Sequence, residues 1–276
     1  MAVLYESTNR QSGKVTFREA LIRGQAPDKG LYTPVEIPKI SLEEIASFKD
    51  MEYHEVAYHV CKKFLEDEVP DGDLKRICMD AYDFDVPLEN AFNKFYVMRL
   101  DRGPTAAFKD FAARLMSRLM QYFIAQDGRN LLILTATSGD TGSAVAHAFH
   151  GLDNIRVVVL FPKAEVTARQ RRQMTTLGGN VSTIALDGKF DDCQRLVKRA
   201  FADPELAGLS LSSANSINFG RLLPQSVYYF WAYAKLYKKL GEEVVFSVPS
   251  GNFGDLMGGI LAKKMGLPVG RFVVAT

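Results

Sequence analysis

Apolar side chains along the first hundred residues recur at helical spacing, which predicts a mixed but mostly helical region. Four helices are predicted there, over 15–23, from 41 onward, over 52–65 and from 73 to about 82. Gly24 closes the first helix, and Ser41 has capping-box spacing with Glu44 at the start of the second. The Pro-Asp-Gly sequence at 70–72 separates the third helix from the fourth.

After the strand-like run Phe95–Met98, short apolar runs alternate with longer amphipathic stretches. Strands are predicted over 131–135, 157–161, 181–186, 244–248 and 272–274, and helices over 143–149, 167–177, 191–201, 221–240 and 255–265. Pro224 would lie in the first turn of the helix that begins at Arg221, where proline is tolerated. Strands that are apolar throughout, each followed by a helix, predict an α/β fold with a parallel sheet covered on both faces.

The change of pattern predicts two domains. We expect a small, mostly helical N-terminal domain over 1–95 and a larger α/β domain over 96–276. The sequence stops at Thr276 directly after a predicted strand, so we expect the α/β domain to be incomplete at its C-terminus. Loops that bind ligands in such sheets lie at the carboxyl ends of the strands, and the candidate chemistry is sought there.

Composition narrows the classes of function. The chain has 276 residues, 47% hydrophobic and 24% charged. Its net charge of +2 gives no argument for binding to nucleic acid or a membrane surface, and neither partner is expected. The N-terminus has no signal-peptide pattern, and no apolar run is long enough to span a membrane, so a cytoplasmic protein is expected. The three scattered cysteines fit reduced thiols, and no metal site is predicted, since His147 and His150 have no carboxylate partner nearby.

Two loops between a strand and a helix have the composition of anion sites. The first is Thr135–Gly142, in which Ser138 and Thr141 add hydroxyl donors to the open amides of a helix start. The second is Pro249–Asp255, which repeats small residues before a helix. Neither loop matches a dinucleotide or nucleoside-triphosphate fingerprint, and either could be an ordinary capped turn, with Asp140 or Thr141 as a cap in the first. Together they indicate a ligand with two anionic ends, or a cofactor phosphate beside a substrate anion.

Lys109 is the candidate nucleophile. It lies in the segment Gly103–Asp110, before an amphipathic helix with apolar residues at 111, 115 and 119. A lysine that is partly buried at a helix start has a lowered pKa, which favours formation of a Schiff base. The same tripeptide, Phe-Lys-Asp, occurs at 48–50 without the Gly-Pro-Thr lead, so the surroundings of the lysine must decide.

Taken together, these segments resemble the threonine synthase family of pyridoxal-phosphate (PLP) enzymes of fold type II. The matching segments are Gly103–Asp110, Leu134–Gly142, Ser213–Asn218 with Arg221 and Pro224–Gln225, Ser250–Asp255, and, near the N-terminus, Tyr5–Thr8 and Ala26–Tyr32. They cover essentially the whole chain in the family's order. The resemblance implies a tryptophan synthase beta-like fold, with parallel sheets flanked by helices.

The resemblance also implies a reaction and its residues: a PLP-dependent lyase of threonine biosynthesis that converts O-phospho-L-homoserine and water to L-threonine and phosphate. Lys109 would hold PLP as a Schiff base and then move protons at the substrate carbons. The cofactor phosphate would be held by Ser250, Gly251, Asn252, Phe253, Gly254 and Asp255. The substrate would contact Thr137, Ser138, Gly139, Asp140, Thr141, Asn215 and Arg221. Arg221 would bind the substrate phosphate, and the alternative is that it is a surface residue at the start of a helix.

Two departures from the family leave alternatives open. Arg102 stands where the family usually has a histidine, and the family's partner for the pyridine nitrogen would lie beyond Thr276. The alternatives are a related phospho-lyase acting on another phosphorylated amino acid, such as O-phosphothreonine, and a truncated PLP-binding scaffold without turnover. A plain nucleotide-binding domain is a more distant alternative. We expect a monomer or homodimer whose binding partner is a small phosphorylated amino-acid substrate.

Overall fold

The N-terminal third of the chain is mostly helical, as the apolar spacing predicts. A computed structural model describes residues 2–206 and 208–276. Its first elements are β1 (Tyr5–Ser7), α1 (Phe17–Arg23), β2 (Tyr32–Pro34), α2 (Leu42–Ser47), α3 (Tyr53–Leu65) and α4 (Asp71–Ala81). Gly24 ends α1 and Ser41 caps α2, as predicted. The sequence pattern missed the antiparallel pair β1–β2, and α4 begins at Asp71 instead of Asp73.

A hairpin connects this region to the rest of the molecule. Its strands are β3 (Leu88–Phe92) and β4 (Phe95–Met98), which pair antiparallel. Most of their side chains are exposed, and the rings of Phe92 and Phe95 stack on each other. The hairpin crosses the predicted boundary between residues 95 and 96, and one hydrophobic core continues across it. The division into two domains at that position stays a prediction.

The α/β region confirms the predicted alternation of strands and helices. Its elements are α5 (Lys109–Asp127), β5 (Leu131–Ala136), α6 (Asp140–Phe149), β6 (Ile155–Pro162), α7 (Ala168–Thr175), β7 (Val181–Leu186), α8 (Phe190–Ala202), β8 (Leu211–Ser212), α9 (Phe219–Leu236), β9 (Val244–Pro249), α10 (Gly254–Met265) and β10 (Val269–Ala275). One parallel sheet has the order β7-β6-β5-β8, and β9 and β10 form a second parallel pair. The two-residue strand β8 was not predicted.

Helix α9 corrects the prediction for Pro224. The helix begins at Phe219, where the Asn218 side chain accepts from the Gly220 amide, and not at Arg221. Pro224 is therefore the sixth helical residue and lies beyond the first turn, so its missing N–H leaves the Gly220 carbonyl without the usual helical donor. Helix α9 packs between the N-terminal helices, α5 and α10, and most of its side chains are buried. It thus carries Arg221 into the interior.

Within residues 2–206 and 208–276, no helix is long and apolar enough to cross a membrane. The same residues contain no group of three or more histidine, cysteine or acidic side chains arranged to hold a metal ion. Cys61, Cys78 and Cys193 are free thiols, all buried.

Candidate active site

Lys109 is the first residue of α5, and its side chain is 22% exposed. Burial lowers the pKa of this amine, and the nearby positive charge of Arg221 lowers it further. The carboxylates of Asp140 and Asp110 act in the opposite direction. Lys49 of the second Phe-Lys-Asp sequence is an exposed residue of a 3-10 turn, so the two lysines differ as the surrounding sequence suggested.

The loop before Lys109 is held by Asp110, which is fully buried. Its carboxylate accepts from the Thr105 amide at 2.9 Å and from the Thr105 hydroxyl at 2.7 Å. A Cβ built on Gly103 would lie 2.5 Å from an oxygen of this carboxylate. The Gly-Pro-Thr lead and the aspartate after the lysine are therefore parts of one structure, a turn closed over Asp110 that fixes the start of α5.

Replacing Gly103 by alanine is expected to destabilise the protein by about 1–3 kcal/mol, because the new methyl group displaces a buried carboxylate that cannot move freely. Gly72→Ala is the matched control: no atom lies within 4 Å of the added methyl, and alanine suits the helix, so the effect is about 0.5 kcal/mol or less and stabilising. Urea unfolding of both variants measures the difference. Equal midpoints would contradict the steric account of Gly103.

The first anion loop joins β5 to α6. The hydroxyl of Thr137, itself buried, accepts from the amides of Gly139 at 2.9 Å and Gly142 at 2.8 Å. Gly139 has φ +142°, a conformation that favours glycine, and it precedes the first helical residue, Asp140. The helix therefore begins three residues earlier than predicted. Neither Asp140 nor Thr141 is its cap, because Thr137 supplies the oxygen.

Asp140 and Lys109 face each other across the site. The Asp140 carboxylate lies 3.5 Å from the Lys109 Nζ, and its other oxygen accepts from Gln170 of α7 at 2.7 Å. Ser138 and Asp140 are exposed at the mouth of the loop. The loop thus combines open amides with one carboxylate that is already paired with the lysine.

Asn215 and Arg221 flank the same region. The Asn215 side chain accepts from the Thr135 hydroxyl at 2.7 Å and donates to the Ala136 carbonyl at 3.0 Å, which places it at the end of β5. Arg221 is 4% exposed and donates to the Ala214 carbonyl at 2.6 Å, while its Nε has no partner within the described residues. Burial lowers the pKa of Arg221 to about 10. Arg221 is thus a buried cation whose Nε–H is unused, and the alternative prediction that it is a surface residue is wrong.

The second anion loop follows β9. Phe253 has φ +54°, and α10 begins at the next residue, Gly254. The hydrogen bonds of the described residues leave the amides of Gly251, Asn252 and Phe253 without an acceptor. An anion at the start of α10 would supply one.

Two tyrosines that the sequence pattern did not single out fix this loop to α9. The hydroxyls of Tyr228 and Tyr229 each donate to the same Asp255 oxygen at 2.7 Å, and all three residues are buried. Burial raises the pKa of Asp255, against the lowering effect of the two hydroxyls and of Lys109. A Cβ on Gly258 would lie 2.7 Å from the Gln225 backbone, so α9 and α10 are in close contact. The loop that contains the open amides is therefore rigidly supported.

These groups fit a phosphorylated aldehyde. Lys109 offers an amine with a lowered pKa, the 251–253 amides offer unused donors for a phosphate, and Arg221 offers an unpaired buried Nε–H for a second anion. Since Lys109 affects the pKa of Asp255, the lysine and the second anion loop share one electrostatic environment. The fold and these groups fit the class of α/β proteins that hold a carbonyl cofactor with a phosphate.

Comparison with known proteins identifies the family. The profile described as "Threonine synthase N terminus" matches residues 4–82, and the profile described as "Pyridoxal-phosphate dependent enzyme" matches residues 86–276. The chain belongs to the family of pyridoxal-phosphate-dependent enzymes.

Relatives named threonine synthase share this sequence and fold. The Escherichia coli protein is 46% identical over 264 residues, which are 95% of this chain and 61% of the relative, and the Pseudomonas aeruginosa protein is 44% identical over 99% of this chain and 59% of the relative. The crystal structure of PLP-bound threonine synthase from Brucella melitensis has a TM-score of 0.93 and 43% identity, covering 100% of this chain and 61% of that one. The chain therefore spans about three fifths of the length of these relatives.

Proposed function

We propose that the protein is a threonine synthase, which converts O-phospho-L-homoserine and water to L-threonine and phosphate with PLP held on Lys109. The observation that supports this most directly is the position of Lys109, a largely buried amine near both Arg221 and the first anion loop. The names of the relatives and the PLP-bound neighbour agree with it. The chain spans about three fifths of those proteins, so the activity of the whole protein is part of the proposal.

The cofactor would be held at two ends. Lys109 would bind the aldehyde, and the loop from Ser250 to Asp255 would bind the phosphate through its open amides. The Asp255 side chain, which accepts from two tyrosines, would support that loop and not contact the phosphate. When bound, PLP supplies an electron sink for charge that develops on the substrate carbons.

The substrate would lie between the first anion loop and α9. Its carboxylate would contact the loop from Ser138 to Thr141, while the Thr137 hydroxyl and Gly139 shape that loop. Asn215 would present its amide at the end of β5. Arg221 would bind the substrate phosphate, since its Nε–H is buried and unpaired and guanidinium matches phosphate geometry.

Lys109 would also transfer protons to and from the substrate. An amine whose pKa is lowered by burial releases its proton more readily than an ordinary lysine, which suits it to act as a general base and then as an acid. The bonds between Asp110 and Thr105 fix the start of α5, and so the backbone position from which the Lys109 side chain extends.

The three buried thiols without disulfides support a reducing compartment, so we also propose a cytoplasmic location, with a monomer or homodimer as the working form.

Arg102 stands at the position where the family usually has a histidine. Its side chain is 46% exposed, and its guanidinium lies 3.7 Å from the Glu89 carboxylate of the hairpin. This position puts it on the outside of the Asp110 turn.

The assay for this function offers the full-length protein O-phospho-L-homoserine and, separately, O-phospho-L-threonine. The proposal expects threonine and phosphate from the first compound. Formation of 2-oxobutyrate from the second compound, with no threonine from the first, would assign the protein to the related phospho-lyases. No product from either, with PLP bound, would identify a scaffold without turnover.

A further inference from the structure

Gln170 of α7 has a single, fixed orientation next to the site. Its Oε1 accepts from the Thr167 hydroxyl at 2.8 Å and from the Thr167 amide at 3.1 Å, which is a capping-box arrangement. Because the oxygen is used in this way, the amide nitrogen must point in the other direction. There it donates to the Asp140 carboxylate at 2.7 Å.

The contact between α7 and the first anion loop is close. A Cβ on Gly139 would lie 2.4 Å from the Gln170 amide nitrogen, so the glycine makes room for this side chain. A Cβ on Gly142 would lie 2.5 Å from the Met174 sulfur, one turn further along α7. The Ser143 hydroxyl donates to the Gln170 carbonyl at 3.3 Å. Helix α7 is therefore built against the loop, and Gln170 is in the middle of the contact.

We propose that Gln170 holds the Asp140 carboxylate against the Lys109 amine and so controls, as a positioning residue, how readily this amine reacts. The inference rests on the proposed role of Lys109. Half of the Asp140 side chain is exposed, and without a donor it would be free to turn toward water. With Gln170 in place, its second oxygen stays 3.5 Å from the Lys109 Nζ.

The charged groups around Lys109 give the direction of the effect. They are Asp140 at the start of α6, Asp110 on its own helix, Arg221 on α9 and Asp255 on α10. Asp140 raises the pKa of Lys109 against the lowering by burial, so moving its carboxylate away lowers that pKa. A larger fraction of the amine is then uncharged at a fixed pH below the pKa, and the amine reacts faster.

The test is competitive acetylation of the full chain with acetic anhydride, after hydroxylamine has removed any bound carbonyl compound. Mass spectrometry follows Lys109 from pH 6 to 11, with Lys49 in the second Phe-Lys-Asp sequence as the internal reference. Asp140→Asn is expected to raise the relative rate at pH 7.5 by about tenfold, the usual effect of an opposite charge at this distance. Gln170→Met is expected to shift the profile in the same direction by less.

The double variant distinguishes positioning from simple structural support. If Gln170 acts through Asp140, Gln170→Met has no further effect in the Asp140→Asn background. An unchanged profile for Gln170→Met, or an equal shift in both backgrounds, overturns the proposal. Gln194→Met on α8 is the matched control and is expected to leave the profile unchanged. If Gln170→Met fails to fold, Gln170→Asn, whose shorter amide cannot reach Asp140, replaces it. The labelling needs no substrate, so its outcome is independent of whether threonine is formed.

Discussion

Replacing Lys109 by alanine is expected to reduce threonine formation by at least about a thousandfold, because one amine both holds the cofactor and moves protons. The fold should survive, since the contacts of the Lys109 amine with the described residues are a 3.5 Å ion pair with the exposed Asp140 and packing on the Phe108 ring. The measurement is steady-state production of threonine by the full-length protein, together with far-UV circular dichroism.

Lys49→Ala is the matched control for this prediction. Lys49 has the same neighbours in sequence, Phe48 and Asp50, but it is an exposed residue of a 3-10 turn. Its replacement is expected to leave activity unchanged. Comparable losses in the two variants, or a Lys109→Ala protein that keeps most of its activity, would contradict the assignment of the nucleophile.

The second large effect concerns Arg221. Arg221→Met is expected to raise the KM for O-phospho-L-homoserine by about a hundredfold, since charge-assisted bonds to a phosphate contribute about 1.5–3 kcal/mol each. The same change is expected to stabilise the protein without ligands by about 1–2 kcal/mol, because it removes a buried charge that lacks a carboxylate partner. Kinetics and thermal unfolding measure the two effects separately.

Arg114→Met is the control, because it also removes a poorly exposed arginine but is expected to change stability in the opposite direction. Arg114 is also poorly exposed, but its guanidinium has three acceptors, the carbonyls of Ala81 and Asp80 and the Asp83 carboxylate. Its loss is expected to destabilise the protein and leave the KM unchanged. An Arg221→Met variant with an unchanged KM and lower stability would show that Arg221 is only structural.

The alternation of strands and helices could be predicted because each apolar run is long enough to show its own period. The strand Val181–Leu186 has the predicted bounds, and four more predicted strands differ only at their ends. Strand β8 could not be found, since two residues, Leu211 and Ser212, have no period to detect. The start of α9 was misplaced because the cap, Asn218, precedes a phenylalanine and a glycine that show no helical signal.

The positions of the two anion loops could be predicted from local sequence. The contacts between residues that are distant in sequence could not. Both anion loops lie between the predicted strands and helices because small residues at a helix start are visible in the sequence. Tyr228 and Tyr229 lie in a predicted helix with no signal that singles them out, and only the approach of α10 brings them to Asp255. The sequence analysis did not single out Gln170, because its contact with Asp140 depends on the tertiary fold.

The most direct test of the central claim is reduction of the PLP-treated protein with borohydride, followed by location of the modified lysine by mass spectrometry. The account predicts a visible absorption band before reduction and a single tag on Lys109. No band, or a tag spread over Lys49 and other exposed lysines, would show that these residues do not form the cofactor site and would contradict the proposed function.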